Sequence, residues 1–395
     1  MSEAEALLLL FVSIGAALVP LITRRLKIPT AVMEIGFGLL LGVLASQIPR
    51  EMVILDFLAD LGFILLMFLA GLEIDFEKLR IMALRDILLA VCMYLVMIAL
   101  SVSAASALGQ PPFFSLVYFT TAIGLLFPVL REMGWTRLDL GQRYLIVGSI
   151  GEILSLGTFT VFAIYQRTGW SKLSFLHMGE ILVFVILALV VHRFVKLAAW
   201  WFPGAARLFT QPDDAAERGI RGSLVFMFVF VALASFLNLE PIIGAFIGGA
   251  VFALVFKQRE QMIDKIGGMA YGFFIPLFFI RVGLRFNLEE LLAGDVLVTT
   301  GAAILIMLGV RLAGLVPMLF SSLSRTGLLG LPLATAFPLT LLIAVATYGM
   351  QEAILSRTQS SAVVLTAVIT ALVFPLLLRR LEARRMGQDG PEEEV

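Results

Sequence analysis

The chain has 395 residues, of which 60% are hydrophobic and 15% charged, with 29 basic and 29 acidic side chains. Soluble domains carry about 25% charged residues, so a soluble fold is excluded, and a formal net charge of zero implies no polyanion-binding surface. The one cysteine, Cys92, excludes a disulfide framework and a thiolate metal site.

Apolar runs of about 20 residues recur from end to end, each long enough to cross roughly 30 Å of hydrocarbon as a helix. The short alternating segments of a membrane barrel are not seen. The expected fold class is therefore an all-α polytopic membrane protein with about thirteen transmembrane helices. These fall at about 4–22, 28–47, 53–72, 83–108, 112–130, 143–165, 177–201, 220–238, 240–257, 266–285, 294–322, 327–349 and 358–378, to within a few residues. The leader before the first span is acidic, so that span is expected to stay rather than be cleaved as a signal. Prolines open the second, fifth and ninth spans at Pro29, Pro111–Pro112 and Pro241, where the missing N–H costs nothing. Cys92 lies in the fourth and reads as a small buried hydrophobe.

Lys and Arg are about fourfold richer on the side that holds Arg24, Arg25, Arg379 and Arg380, which implies an outer N-terminus and an inner C-terminus. Such a count requires an odd number of spans. The polar stretch 202–219 reads as an inner loop joining two halves, and 381–395 as a disordered tail. No fused regulator is expected after that tail, so a regulator would be a separate cytoplasmic subunit.

The fifth span carries Thr120, Thr121, Gly124 and Pro128 inside its apolar stretch, and the twelfth carries Pro338 and Thr340. Backbone groups freed by helix breakers at membrane depth are tolerated where they line a cavity or find protein partners. Spans five and twelve run in opposite directions. Two matched broken helices of opposite sense predict an inverted repeat with a binding site where they cross.

The sixth span, "LIVGSIGEILSLGTFTVFAIY" (Leu145–Tyr165), holds one carboxylate, Glu152. It lies about 14 Å past Arg143 at 1.5 Å per residue, close to the bilayer centre. A charge there costs at least about 2.5–3.5 kcal/mol, so such a residue is expected to face a cavity and act. Its basic counterpart is Arg311 on the eleventh span, which cannot neutralise itself by losing a proton and so needs carbonyls or an anion. Glu34 and Asp60, about two turns from span ends, are secondary candidates for a funnel or a local network. Arg281, one turn from an end, is expected to snorkel to water.

A carboxylate out of water can hold a proton or a metal cation, but not both, so alternate exposure of Glu152 would exchange one for the other. Hard oxygen ligands suit a hard monovalent ion: Thr120, Thr121 and the unwound carbonyls are near in sequence. Ser149 and Ser155 share the Glu152 helix face. Na+ or K+ at Glu152 is the metal expected. The chain calls for no cofactor, and it has no HExxH pair or nucleophile with a base, so no enzyme is expected.

Five stretches carry a family resemblance: "PTAVMEIGFGLLLG" (29–42), "LGFILLMFLAGLEID" (61–75), "PVLREMG" (128–134), "LEPIIGAFIGGAVFA" (239–253) and "IPLFFIRVGL" (275–284). Across nearly its whole length the chain resembles the monovalent cation/proton antiporter family, in the branch with Kef-type and bacterial sodium/proton transporters. The resemblance implies a homodimer with dimer-contact spans and an elevator-like core of spans four to six and eleven to thirteen. It implies that Thr121 is the Thr/Ser of the unwound helix, that Glu152 stands for the ion-binding aspartate, and that Arg311 is the basic residue of the eleventh span. Relatives carry Asp-Asp or Asn-Asp where this chain has Gly151-Glu152, which points to electroneutral exchange. "FPLTLL" also stands where many relatives carry an acidic element.

The domain plan is then 1–82 as first dimer or scaffold spans, 83–176 as the first core half with the ion site, and 177–219 as a linking span and loop. Residues 220–293 form the second scaffold spans, 294–380 the second core half, and 381–395 the tail. The expected partners are Na+ or K+ and H+, membrane lipid, and a second copy of the chain, in a bacterial-type inner membrane with no nucleic acid. Two other readings stay open: a sodium-coupled organic-anion symporter holding its anion on Arg311 or Arg281, and a cation sensor that does not transport.

Overall fold

The computed structural model describes residues 3–26, 30–44, 52–73, 83–126, 129–130, 133–135, 138–168, 172–201, 218–237, 239, 241–255, 259–285 and 288–386. Pro29, Pro128, the loop residues 202–217 and the tail residues 387–395, all named above, lie outside that set. Among the described residues every regular element is helical. Nine helical stretches among the described residues are long and apolar enough to cross a membrane, and two shorter apolar ones, Thr30–Leu44 and Pro241–Val255, accompany them.

In chain order the elements are α1 (Glu3–Leu26), α2 (Thr30–Leu44), α3 (Val53–Glu73) and α4 (Leu84–Ala107). A 3-10 turn (Pro112–Ser115) leads into the one-turn α5 (Leu116–Phe119), then come α6 (Asp139–Thr168), α7 (Lys172–Trp201), α8 (Arg218–Phe236) and α9 (Pro241–Val255). The tenth span is α10 (Arg259–Met269), a π-helical turn (Ala270–Phe274) and α11 (Ile275–Arg285). α12 (Gly294–Gly314), α13 (Arg325–Ala334), α14 (Leu339–Gln351) and α15 (Arg357–Met386) complete the chain. Each expected span coincides with one of these, and the fifth and twelfth are the interrupted ones. α15 runs on to Met386, past the boundary at 380 read from the sequence.

Local chemistry explains several ends. Pro241 opens α9, where its lost N–H has no helical partner to miss. Ser324 caps α13 by accepting from the Gly327 N–H at 3.1 Å. Ser356 and Gln359 form a reciprocal capping box at the start of α15, with bonds of 3.0 and 3.1 Å, satisfying two N–H groups the helix leaves over.

Contacts divide the chain into two compact units, Met1–Phe76 with Ile164–Asn287 and Glu77–Ala163 with Leu288–Val395. In the first unit α2 packs on α11, and α3 and α8 both pack on α9. Small residues let these backbones touch. A Cβ built at Gly38 would lie 2.0 Å from the Ile280 carbonyl oxygen, and one at Gly283 would lie 2.0 Å from that of Ile35. Gly71 and Gly249 do the same for α3 and α9, at 2.0 Å from Phe246 O and 2.1 Å from Phe68 O. Gly62 meets Phe274 O, on the π turn, at 2.1 Å.

In the second unit α4 and α15 pack on α12, and α13 and α14 pack on α15. Cys92, expected inside, is exposed on α4. Apolarity in a membrane protein does not separate core from outer surface, since lipid accepts apolar side chains as readily as protein does.

Candidate ion-binding site at the helix crossing

The site lies wholly in the second unit. α5 ends at Phe119, and Thr120 to Leu125 are not helical. α13 ends at Ala334 and α14 resumes at Leu339, with Pro338 at its N-cap and φ −80°, ψ 59°. The two gaps meet. The Thr121 hydroxyl reaches the Thr335 carbonyl at 3.4 Å, and a Cβ on Gly124 would lie 4.0 Å from the Thr340 hydroxyl. Gly124 thus lies within van der Waals reach of the second interrupted helix.

An interrupted helix strands both donors and acceptors, and the site satisfies them from two sides. Arg311, 1% exposed on α12, takes the acceptors. Its Nη1 donates to Tyr118 O at 2.6 Å and to Met307 O at 3.4 Å. Its Nη2 donates to Thr120 O at 2.6 Å and Thr335 O at 3.0 Å, and Nε adds a 3.3 Å bond to Thr335 O. One guanidinium therefore binds the carbonyl ends of both half-helices, where their dipoles concentrate negative potential. A planar fork with five N–H groups is suited to this and an ammonium is not.

α6 takes the donors. The Thr121 N–H donates to Ser155 Oγ at 3.0 Å and the Ile123 N–H donates to Glu152 Oε2 at 3.2 Å. Glu152 is 1% exposed. Its bond to Ile123 is its one hydrogen bond among the described residues, and no ion pair links it to Arg311. Thr120 and Thr340, both buried, carry hydroxyl oxygens with no partner. A buried carboxylate with no ion pair, in the same unit as two buried hydroxyls that have no partner among the described residues, supplies hard oxygens that suit a proton or an alkali cation.

The other expected residues fall elsewhere. Ser149 is buried but donates to Leu145 O within α6 at 2.8 Å, so its hydroxyl is turned to its own helix. Glu34 is buried on α2 in the first unit. Arg281 does not snorkel. It is 7% exposed and donates to Asp56 at 2.5 Å and Asp60 at 2.6 Å, with Arg285 also on Asp56 at 3.1 Å. Asp60 thereby caps a local network. Its nearby acids hold Arg281 in place where open water was expected to.

Two features escaped the sequence reading. Asp86, at the start of α4, is buried under the Ser322 hydroxyl, the Ser322 N–H at 3.1 Å and Arg143 at 3.6 Å. Tyr94, in the middle of α4, is fully buried, and its ring fills the space over Gly151: a Cβ there would lie 2.1 Å from Cζ. A lone tyrosine amid aliphatic residues was the available signal, since a buried phenol asks for a polar neighbour.

A single unit that crosses two interrupted helices over a buried carboxylate, within a wholly helical membrane chain, defines the class of secondary ion transporters with discontinuous helices. The sodium/hydrogen exchanger transmembrane profile matches residues 12–382, and the chain belongs to that family. It is 26% identical to YjbQ of Bacillus subtilis, an alignment that spans all of this chain and 65% of that protein. It is 25% identical to the Na(+)/H(+)-K(+) antiporter GerN of Bacillus cereus, over 90% of each chain. In three dimensions it resembles the sodium proton antiporter MjNhaP1 of Methanocaldococcus jannaschii, with a TM-score of 0.66 and 16% identity over 98% of this chain and 99% of that one.

Proposed function

We propose that the chain is a secondary active antiporter exchanging a monovalent cation, Na+ or K+, for protons, with Glu152 binding the two in competition. The observation that carries this is Glu152 itself: a carboxylate buried at the crossing, held by one N–H and with no ion pair among the described residues. Thr120 and Thr340 are the hydroxyls free to join it, while Thr121 and Ser155 hold the gap open. Arg311 is a structural clamp, its donors already given to carbonyls. One acid at the site supports one cation per proton, an electroneutral exchange. Potassium enters as a candidate because GerN carries K(+) in its name.

All these residues belong to one contact unit, which supports an elevator-type movement of that unit carrying its site intact. In this reading the first unit is the scaffold that meets a second copy of the chain. The charge bias supports an outer N-terminus in a bacterial-type inner membrane. An anion symporter is less favoured, since an anion at Arg281 would meet the Asp56 and Asp60 carboxylates already on it, and Arg311 gives its nitrogens to carbonyls.

The test is exchange in proteoliposomes with a trapped pH dye. Cation added to wild-type vesicles is expected to collapse an imposed proton gradient, and Glu152→Gln is expected to abolish the response. Exchange that survives in Glu152→Gln would sink the mechanism. A thermal shift with cation but no flux in the wild type would favour the sensor reading.

A further inference from the structure

Tyr94 lies on α4, outside both interrupted helices and outside α6, yet it reaches the ion site. Its side chain is 0% exposed, and its hydroxyl has no partner within 3.5 Å among the described residues. A Cβ at Gly151 would stand 2.1 Å from Tyr94 Cζ and 2.2 Å from Oη, so any side chain at 151 would displace the phenol. Gly151 immediately precedes Glu152. The hydroxyl faces the Thr121 side chain at the interruption, and Glu152 and Arg311 lie within electrostatic range of it. Buried hydroxyls in folded proteins are nearly always partnered, and an orphan calls for a ligand or a task. Among the described residues four such hydroxyls, Tyr94, Ser101, Thr120 and Thr340, belong to the same unit as Glu152, and of these Thr120 and Thr340 flank the two interruptions.

We propose that Tyr94 is a ligand for the transported cation: its phenol oxygen, admitted by the bare backbone of Gly151, adds a neutral donor to the charge supplied by Glu152. This rests on the exchange reading above and extends it to a residue on a different helix. Alkali cations are held by several oxygens together, and a phenol contributes one without adding charge. When Glu152 takes a proton, the hydroxyl loses its cation and the site its charge together. The steric pairing of a tyrosine at 94 with a glycine at 151 then sets the size of the cation cavity.

Tyr94→Phe keeps the ring and removes only Oη. In the pH-dye assay it is expected to raise the apparent KM for the preferred cation about tenfold, with the maximal rate falling less than threefold. It should also abolish most of the cation-induced rise in melting temperature of the purified protein, while its melting temperature without cation stays at the wild-type value. A residue that merely fills space would move the cation-free melting temperature and leave KM alone. A KM within twofold of wild type, with the cation-induced shift retained, overturns the proposal. Glu152→Gln run beside it separates the failures. If it abolishes exchange while Tyr94→Phe matches wild type, only the ligand role of Tyr94 falls. If it continues to exchange, both readings fall.

Discussion

Arg281 and Arg311 are both buried, one in each unit, and they are neutralised by different chemistry. Arg281 sits between Asp56 and Asp60, whose side chains are 29% and 64% exposed, so its counter-charges are half in water. Arg311 meets carbonyl oxygens from three segments and no acid. The first is an ion-pair network that closes on itself. The second leaves a full positive charge balanced by backbone dipoles, and leaves Glu152 with one N–H as its partner and no ion pair among the described residues. Where a basic group is spent on peptide carbonyls, an acid remains available for a passing ion.

Substitutions at the two arginines sharpen that contrast. The largest effect is expected for Arg311→Met, which strands the Tyr118, Thr120 and Thr335 carbonyls in a dry interior. Loss of one side of such a buried polar network costs about 3–5 kcal/mol, seen as a collapse of the melting temperature in detergent. A melting temperature close to wild type would mean that the guanidinium is not the clamp. Arg281→Met is expected to cost less, about 1–2 kcal/mol, because water takes over the exposed carboxylates, with exchange retained in the pH-dye assay. Loss of exchange with normal stability would place Arg281 in the transport path. Asp60→Asn comes last, below about 1 kcal/mol, since Asp56 still holds the guanidinium. A larger loss would mean that the exposed acid carries the network.

Much of the fold was legible because membrane helices write their length in apolar residues. The interruptions were legible because Pro338, Gly124 and the paired threonines of the fifth span have no business in an uninterrupted helix. Glu152 stood out by its cost in hydrocarbon. The partners of Arg311 were half legible: the need for carbonyls or an anion follows from its chemistry, but which carbonyls depends on where two gaps cross in space. Arg281 was misjudged because its depth was read along one helix, while its acids come from another. Tyr94 was legible only in part: a phenol in an apolar run asks for a polar neighbour, but the glycine beneath it shows only in space. Cys92 shows the limit of the apolar signal, since facing inward and facing lipid leave the same trace in the letters.

The glycine contacts of the first unit decide which changes its sequence can absorb. Outward leucines such as Leu7, Leu10 and Leu40 are more than half exposed and can be exchanged for other greasy residues over many generations. A single methyl added at Gly38, Gly71, Gly249 or Gly283 would drive carbon into a peptide oxygen at about 2 Å, well inside contact distance. The scaffold is therefore most fragile where its chemistry is plainest, and inheritance must guard hydrogen atoms there more strictly than any charge.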